Sequence, residues 1–317
     1  MSSKISFIPQ LVMIPQAKLR DYTTFQLGGP CRGLIQCKTP EDLETAIKQL
    51  NDKKLPFVLI GGGSNLVVSD EGIDCYVVRY VSDRPIVERD GNDVIVSGST
   101  LLDALAQFSI EQGLAGLEYT SGIPGTVGGA VVGNAGAFGR QVGDVLKSAT
   151  LLSSQGVLTK VGPEAFGFSY RHSNLKERSD MVVSVRFALR PGNREKLLEE
   201  RRNILKIRRE KHPNLTAHPC AGSFFRNIEP TSKAEKRQAA GWFLEEAGGK
   251  NLRVGGAMIY DKHANIIVKG PNCKASDIYQ LSLKMQQIVK KKFNLDLVRE
   301  VRFVGNVADQ TPKELFW

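Results

Sequence analysis

The chain has 317 residues, 41% hydrophobic and 24% charged, with a formal net charge of +10. That is the balance of an ordinary globular protein, with length for two or three domains and a substantial core. It contains no apolar run long enough to span a bilayer, no fixed-period repeat and no low-complexity tract, which argues against membrane insertion and against a solenoid.

In chain order, Ile5–Pro15 is apolar but interrupted by Pro9 and Pro15, with no small-residue cleavage site after it. It reads as the first ordered segment rather than a secretory signal. Asp21–Pro30 carries two threonines ahead of a Gly-Gly turn and leads into a strand near Leu34–Cys37. Thr39-Pro40-Glu41-Asp42 then starts a helix to about Asn51: a Thr N-cap, Pro at the first helical position and acids in the first turn. A strand over Leu55–Ile60 delivers the loop Gly61-Gly62-Gly63-Ser64-Asn65 from its C-terminal end. This is β-α-β with a glycine loop, yet it lacks GxGxxG spacing, and Leu66–Ser69 reads as a strand, so it is no Rossmann fingerprint. A P-loop is excluded because GxxxxGK[ST] does not occur. The loop's N–H groups still suit a phosphate, with Ser64 and Asn65 adding side-chain bonds.

Strands follow at Cys75–Arg79, Ile86–Glu88 and Val94–Ser97, then a helix over Leu101–Gln112. The stretch Ser121–Gly139, SGIPGTVGGAVVGNAGAFG, has seven glycines and no charge. Two readings stand for it: a buried turn-and-helix, or backbone laid against a large flat ligand where a Cβ would collide. Strands are expected at Leu146–Leu152, Val157–Val161 and Met181–Leu189. Arg194–Lys211 interleaves acids and bases around the apolar stripe Leu197, Leu198, Ile204, Leu205 and Ile207, an amphipathic solvated helix. Aromatics do not interleave with its basic residues as a nucleic-acid platform requires, and a basic surface suits an anionic small substrate equally well. The C-terminal unit opens with Cys220–Asn227, CAGSFFRN. A helix near Ala239–Ala247, strands at Val254–Ile259 (turning at Gly255-Gly256) and Tyr260–Val268, and a helix over Ser276–Phe293 capped by Ser276 come next. The last strand, Leu297–Val304, sets Leu297, Val301 and Phe303 on one face and Glu300 and Arg302 on the other. Five cysteines without CxxC pairing and four scattered histidines point to reduced thiols in a cytoplasmic protein and to no metal site.

The ordered motifs TTFQLGG, IGGGSN, GIPGTVGGAVVGNAGAFG, FSYRHS, AGSFFRN, GGAMIYDKHANIIV and EVRFVG, from Leu19 to Gly305, resemble the UDP-N-acetylenolpyruvoylglucosamine reductases of peptidoglycan synthesis. The resemblance implies an α+β fold: an FAD-binding region of the vanillyl-alcohol-oxidase (PCMH) type, then a smaller α+β substrate-binding domain. It divides the chain into 1–192 (two subdomains split near 80), a connecting helix over 193–215, a substrate domain over 216–307 and a tail over 308–317. It implies FAD and NADPH as cofactors, UDP-N-acetylglucosamine-enolpyruvate as substrate, and a monomer that binds neither nucleic acid nor membrane. Carried over by motif, Thr24, Gly61, Gly62, Gly63, Ser64, Asn65, Gly122, Ile123, Pro124, Gly125, Gly128, Gly129, Asn134, Gly136 and Ala137 fall on the FAD site. Arg171, Ser223 and Glu300 fall on the catalytic positions, and Lys211 and Asn227 on substrate contacts; for His263 two readings stand, a substrate contact or a satisfied structural histidine. Two departures stand out: Asn227-Ile228-Glu229-Pro230 where Asn-Pro is common, and Lys269 where many members have Asn. The spacing between AGSFF and EVRF leaves no room for the extra substrate-covering insertion, which points to the family's shorter type.

Those residue types suit the implied reaction. Hydride from flavin N5 to C3 of the enolpyruvyl ether pushes charge onto C2 and the carboxylate. An arginine at 171 would grip that carboxylate. A hydroxyl at 223 would protonate C2. Glu300 would position the carboxylate or donate to the enol. Competing readings are an oxidase of the same fold, against which AGSFF and EVRF argue, a basic nucleic-acid binder without flavin, and a flavoprotein that has lost turnover.

Overall fold

The computed structural model describes residues 11–230 and 236–307. The start of the apolar N-terminal segment, Ile5 to Gln10, and the tail expected over 308–317 lie outside the described residues.

Four strands form the first sheet, in the order Val12–Pro15, Cys31–Cys37, Ile73–Tyr80, Phe57–Ile60. The strand Ile73–Tyr80 pairs in parallel with both of its neighbours, while Val12–Pro15 joins antiparallel. Helix α1 (Pro40–Asp52) makes the crossover. Its start is written in four residues: Asp42 N–H donates to Thr39 Oγ1 at 3.2 Å, Thr39 N–H returns to the Asp42 carboxylate at 3.1 Å, and Pro40 opens the first turn. Leu43, Ala46, Ile47 and Leu50, spaced to share one face, are fully buried with Ile35 and Val78 of the sheet. Each of the larger ones contributes on the order of 2 kcal/mol by leaving water.

The second sheet is antiparallel throughout, in the order Leu158–Val161, Leu146–Leu152, Met181–Ala188, Asp93–Ser97, Val87–Asp90. Helices α2 (Leu102–Glu111) and α3 (Val127–Val132) share its core. The glycine-rich stretch thus contains a helix of its own, capped by Thr126 Oγ1, which accepts the Gly129 N–H at 3.3 Å. Helix α4 (Arg194–Lys211) buries only Leu197 and Ile204 fully and is tied to α2 by Arg201 on Asp103 at 2.6 Å.

Helices α5 (Ala240–Glu246) and α6 (Ala275–Phe293) cover a three-stranded sheet of Arg253–Val254, Ala257–Tyr260 and His263–Lys269. Two expectations need correction. Helix α6 starts at Ala275, not after a Ser276 cap. Acids hold its first N–H groups: Asp277 accepts from Lys274 N–H at 3.0 Å, and Asp70 from Ala275 N–H at 2.7 Å. The last strand is only Arg302–Val304, because residues before it change partner. Arg302–Val304 pairs in parallel with Leu66–Val68, whereas Val298 and Glu300 bond instead to the AGSFFRN segment. Phe25, Leu27 and Val67 consequently sit in one core with the C-terminal unit.

Candidate active site

The two glycine loops meet. A Cβ on Gly62 would lie 3.1 Å from Gly125 Cα, and one on Gly61 would strike Thr126 Oγ1 at 2.5 Å. Ser64 Oγ donates to the Pro124 carbonyl at 3.1 Å, closing the seam. Between these loops and the C-terminal unit lies a cavity of about 570 Å³. Gly61 to Asn65, Ile123, Pro124, Gly125, Gly128, Gly129, Gly136 and Ala137 form one wall, with Tyr80, Leu102 and Val132 adding apolar surface. Among the described residues, none of the turn and loop hydrogen bonds uses the N–H of Gly62, Gly63 or Ser64. They are donors in want of an anion.

The facing wall is charged. Its frame is the AGSFFRN segment, held on both edges. Phe224 N–H donates to the Asn265 carbonyl at 2.7 Å, and Phe225 N–H to Asn265 Oδ1 at 2.9 Å. On the other edge Glu300 N–H donates to the Phe224 carbonyl at 2.9 Å. Phe224 and Phe225 are fully buried anchors. Gly222, at φ +74°, takes the left-handed turn that presents Ser223 at the cavity, a conformation that favours glycine. Asn65 Nδ2 donates to the Glu300 carbonyl at 3.0 Å, which ties the first glycine loop to the same strand.

Arg171 and Glu300 meet at the cavity edge, Nε to Oε1 at 2.9 Å, with side chains 23% and 19% exposed. The approach is an ion pair, but its alignment leaves the buried Nε–H without a hydrogen bond. Lys176, Arg208, Lys211 and Arg302 add four cations to the lining. Burial first, then the charges of Arg226 and Arg302, push the Lys176 ammonium down to about 8, and Glu300 opposes them. His212, also on the wall, is pushed down to about 4 by burial, then by Arg208, His263 and Lys211, so it stands neutral at pH 7.

Several expected contacts stand behind the wall. Thr24 backs the first loop: its N–H donates to the Gly63 carbonyl at 3.2 Å and its hydroxyl to Cys220 at 2.7 Å. Gly122 packs on α4, where a Cβ would meet Leu205 and Arg208 at 2.9 Å. Asn134 is 1% exposed and spends its amide on Gln141, Ser169 and Gly143. Asn227 accepts the first N–H of α5, from Ala240, at 3.2 Å. His263 takes the Asn265 N–H on Nδ1 at 3.2 Å and lies behind His212, ring centres 5.8 Å apart. Sequence reasoning missed Lys176, Arg208, His212 and Arg302. Helical spacing from Lys211 would have flagged Arg208, and the shared strand face with Glu300 did mark Arg302 without giving it a role.

A family model described as UDP-N-acetylenolpyruvoylglucosamine reductase, C-terminal domain, matches residues 213–304, and one described as FAD binding domain matches 31–162. A UDP-N-acetylenolpyruvoylglucosamine reductase of Carboxydothermus hydrogenoformans is 35% identical over 90% of this chain and 92% of its own. Reductase 1 of Bacillus cereus is 38% identical over 90% of this chain and 93% of its own. The chain belongs to the UDP-N-acetylenolpyruvoylglucosamine reductase family. It is an FAD-dependent oxidoreductase with that family's function in peptidoglycan synthesis. The crystal structure of the Thermus caldophilus UDP-N-acetylenolpyruvylglucosamine reductase superposes with a TM-score of 0.74 at 32% identity, over 93% of this chain and 98% of that one. The reductase fold is α+β, a flavin-binding region of the vanillyl-alcohol-oxidase type followed by the smaller C-terminal α+β domain. No helix among the described residues is long and apolar enough to cross a membrane.

The site's chemistry fits the flavin dinucleotide. Free N–H donors on Gly62, Gly63 and Ser64, with Arg208 on the same cavity, suit a diphosphate. Gly128, Gly129 and Gly136 put main chain on the cavity. A Cβ on Gly128 would lie 3.2 Å from the Gly98 carbonyl oxygen and one on Gly136 would strike the Arg140 carbonyl oxygen, so close packing within the wall leaves a low surface that suits a flat ring.

Proposed function

We propose that the protein reduces UDP-N-acetylglucosamine-enolpyruvate to UDP-N-acetylmuramate with NADPH as donor. The observation that carries this reading is the meeting of Arg171, Ser223 and Glu300, from three distant segments, on a cavity whose other wall is glycine backbone. When bound, FAD would supply the redox chemistry that links NADPH to C3 of the enol ether. The loop Gly61–Asn65 and the residues Ile123 to Gly125, Gly128, Gly129, Gly136 and Ala137 would hold it. The Arg171 guanidinium meets the charge that develops on the substrate carboxylate, in a site half shielded from water where such charge is strongly felt. Glu300 orients that guanidinium through the ion pair at Nε. The Ser223 hydroxyl delivers a proton to C2, a weak acid serving a strongly basic carbon. Lys211 takes a substrate phosphate from the end of α4.

The clustering of the cores supports a flavin region over 1–192 in two subdomains split near 80, a connecting helix over 193–215 and a substrate-binding domain over 216–307, although Phe25, Leu27 and Val67 join the C-terminal core and Val304 an N-terminal one. The five buried free thiols suit the reducing cytoplasm. The test is the visible spectrum of the purified protein, recorded anaerobically. Expected are a flavin spectrum, bleaching with NADPH, and recovery on adding UDP-N-acetylglucosamine-enolpyruvate. Bleaching without recovery discards the substrate.

A further inference from the structure

Arg171 has φ +57°, a left-handed conformation uncommon for a residue with a side chain. It sits in a tight turn in which Ser169 N–H donates to His172 at 3.2 Å and His172 N–H returns to Ser169 at 3.1 Å. One residue reaches back to hold this turn. Lys176, at the end of the short helical turn Asn174–Lys176, donates from Nζ to the Arg171 carbonyl at 2.7 Å. Its own carbonyl faces Arg302 Nη2 at 3.5 Å.

The surroundings of that ammonium are unbalanced. Arg171 acts on it from its own turn, Arg226 from the AGSFFRN segment and Arg302 from the last strand, while Glu300 is the acid among them. Glu300 is already paired with Arg171. A half-buried cation among three others, open to a cavity, is relieved by an anion that enters there.

We infer that Lys176 is a positioning residue for the reduction: it clamps the Arg171 main chain in the turn that sets the guanidinium at the cavity, and its charge helps seat the substrate carboxylate. The inference rests on the reduction proposed above. Lys176 loses its proton near pH 8, so below that pH both the clamp and the charge are present, and above it the charge is lost. An arginine at this position would keep the charge at every accessible pH.

The experiment compares the wild-type holoenzyme with Lys176→Met and Lys176→Arg. Flavin reduction by NADPH and reoxidation by UDP-N-acetylglucosamine-enolpyruvate are followed by stopped flow, and binding of UDP-N-acetylmuramate by calorimetry from pH 6.5 to pH 9.5. For Lys176→Met, reduction stays within about twofold, reoxidation slows by about 10- to 100-fold and product affinity falls about tenfold. Lys176→Arg recovers most of the reoxidation rate. Wild-type product affinity declines above about pH 8, and that of Lys176→Arg does not. Reoxidation of Lys176→Met at the wild-type rate overturns the inference, as does an equal alkaline decline in wild type and Lys176→Arg. If Lys176→Met does not fold, that second comparison decides alone. Failure of the reduced wild-type enzyme to be reoxidised is a separate result and removes the proposed reduction itself.

Discussion

The cavity has two walls made in different ways. One wall is main chain: glycines from two short stretches, most of whose missing side chains would strike the protein itself, so that the loops pack closely and leave backbone N–H groups on the cavity. The facing wall is side chain: Arg171, Lys176, Ser223, Glu300 and Arg302 from three separated stretches, joined by α4 carrying Arg208 and Lys211. A backbone wall fails by crowding, all at once and at the level of binding. A side-chain wall fails one chemical contribution at a time. The distinction gives each wall its own kinetic signature.

The largest expected effect is on the charged wall. Ser223→Ala removes the proposed proton donor and leaves the Phe224 and Phe225 anchors and the Asn265 brace intact. Reoxidation by substrate should slow by about three orders of magnitude or more, with flavin content and reduction by NADPH near normal. Equal slowing of both half-reactions would mean that the wall had moved. Next comes the glycine wall. Gly61→Val puts a branched side chain where even a Cβ would lie 2.5 Å from Thr126 Oγ1. The protein should purify with little or no flavin and show about a 100-fold loss of FAD affinity on titration. A yellow Gly61→Val enzyme with normal half-reactions would show that the two loops need not interlock.

Lys211→Ala tests the join between the walls. The residue ends α4 and lies on the cavity, so its removal should raise the substrate KM about tenfold and change kcat by less than threefold. An unchanged KM takes Lys211 off the phosphate.

The same contrast explains what could be read in advance. The glycine loops are contiguous in sequence, so their ligand character was visible without any partner residue. Thr39-Pro40 likewise announced α1 because a cap is a local event. Ser223 and Glu300 look ordinary by themselves: their meeting depends on Phe224 pairing with Glu300 and on Arg302 lying beside Asn65, contacts that span long stretches of chain. Only the ordered motifs of the family made them readable. Motif position carries no information on direction: Asn227 caps α5 through Oδ1, and His263 bonds the Asn265 N–H, neighbours that the sequence does not announce. Lys176 escaped for the reverse reason, since a lysine in a polar loop reads as solvated until the turn brings it onto the Arg171 carbonyl.

The smallest effect concerns what holds the glycine wall in place. Glu118 is 4% exposed, accepts the Gly116 N–H at 2.6 Å and pairs with Arg140, whose other nitrogen reaches Glu200 of α4 at 2.8 Å. Arg140 lies in the hairpin that carries Gly136 and Ala137, so this chain of charges braces that hairpin against α4. Burial by itself would raise the Glu118 carboxyl, but the Gly116 N–H, its own N–H and Arg140 together hold it below the ordinary value of 4.5. A depressed folded pKa means that the stabilisation is complete above about pH 4.5 and is lost as pH falls through the folded value. Glu118→Ala should cost about 2 kcal/mol in urea unfolding at pH 7, less than a fully buried pair because Arg140 is partly exposed. FAD affinity should weaken severalfold, and the ratio of the two half-reaction rates should hold, because the charged wall is untouched. The stability gap between wild type and variant should narrow as pH drops from about 5 toward 3. A gap that is constant across that range would assign the loss to packing around Tyr119, over whose ring Arg140 lies at 4.8 Å, rather than to the carboxylate.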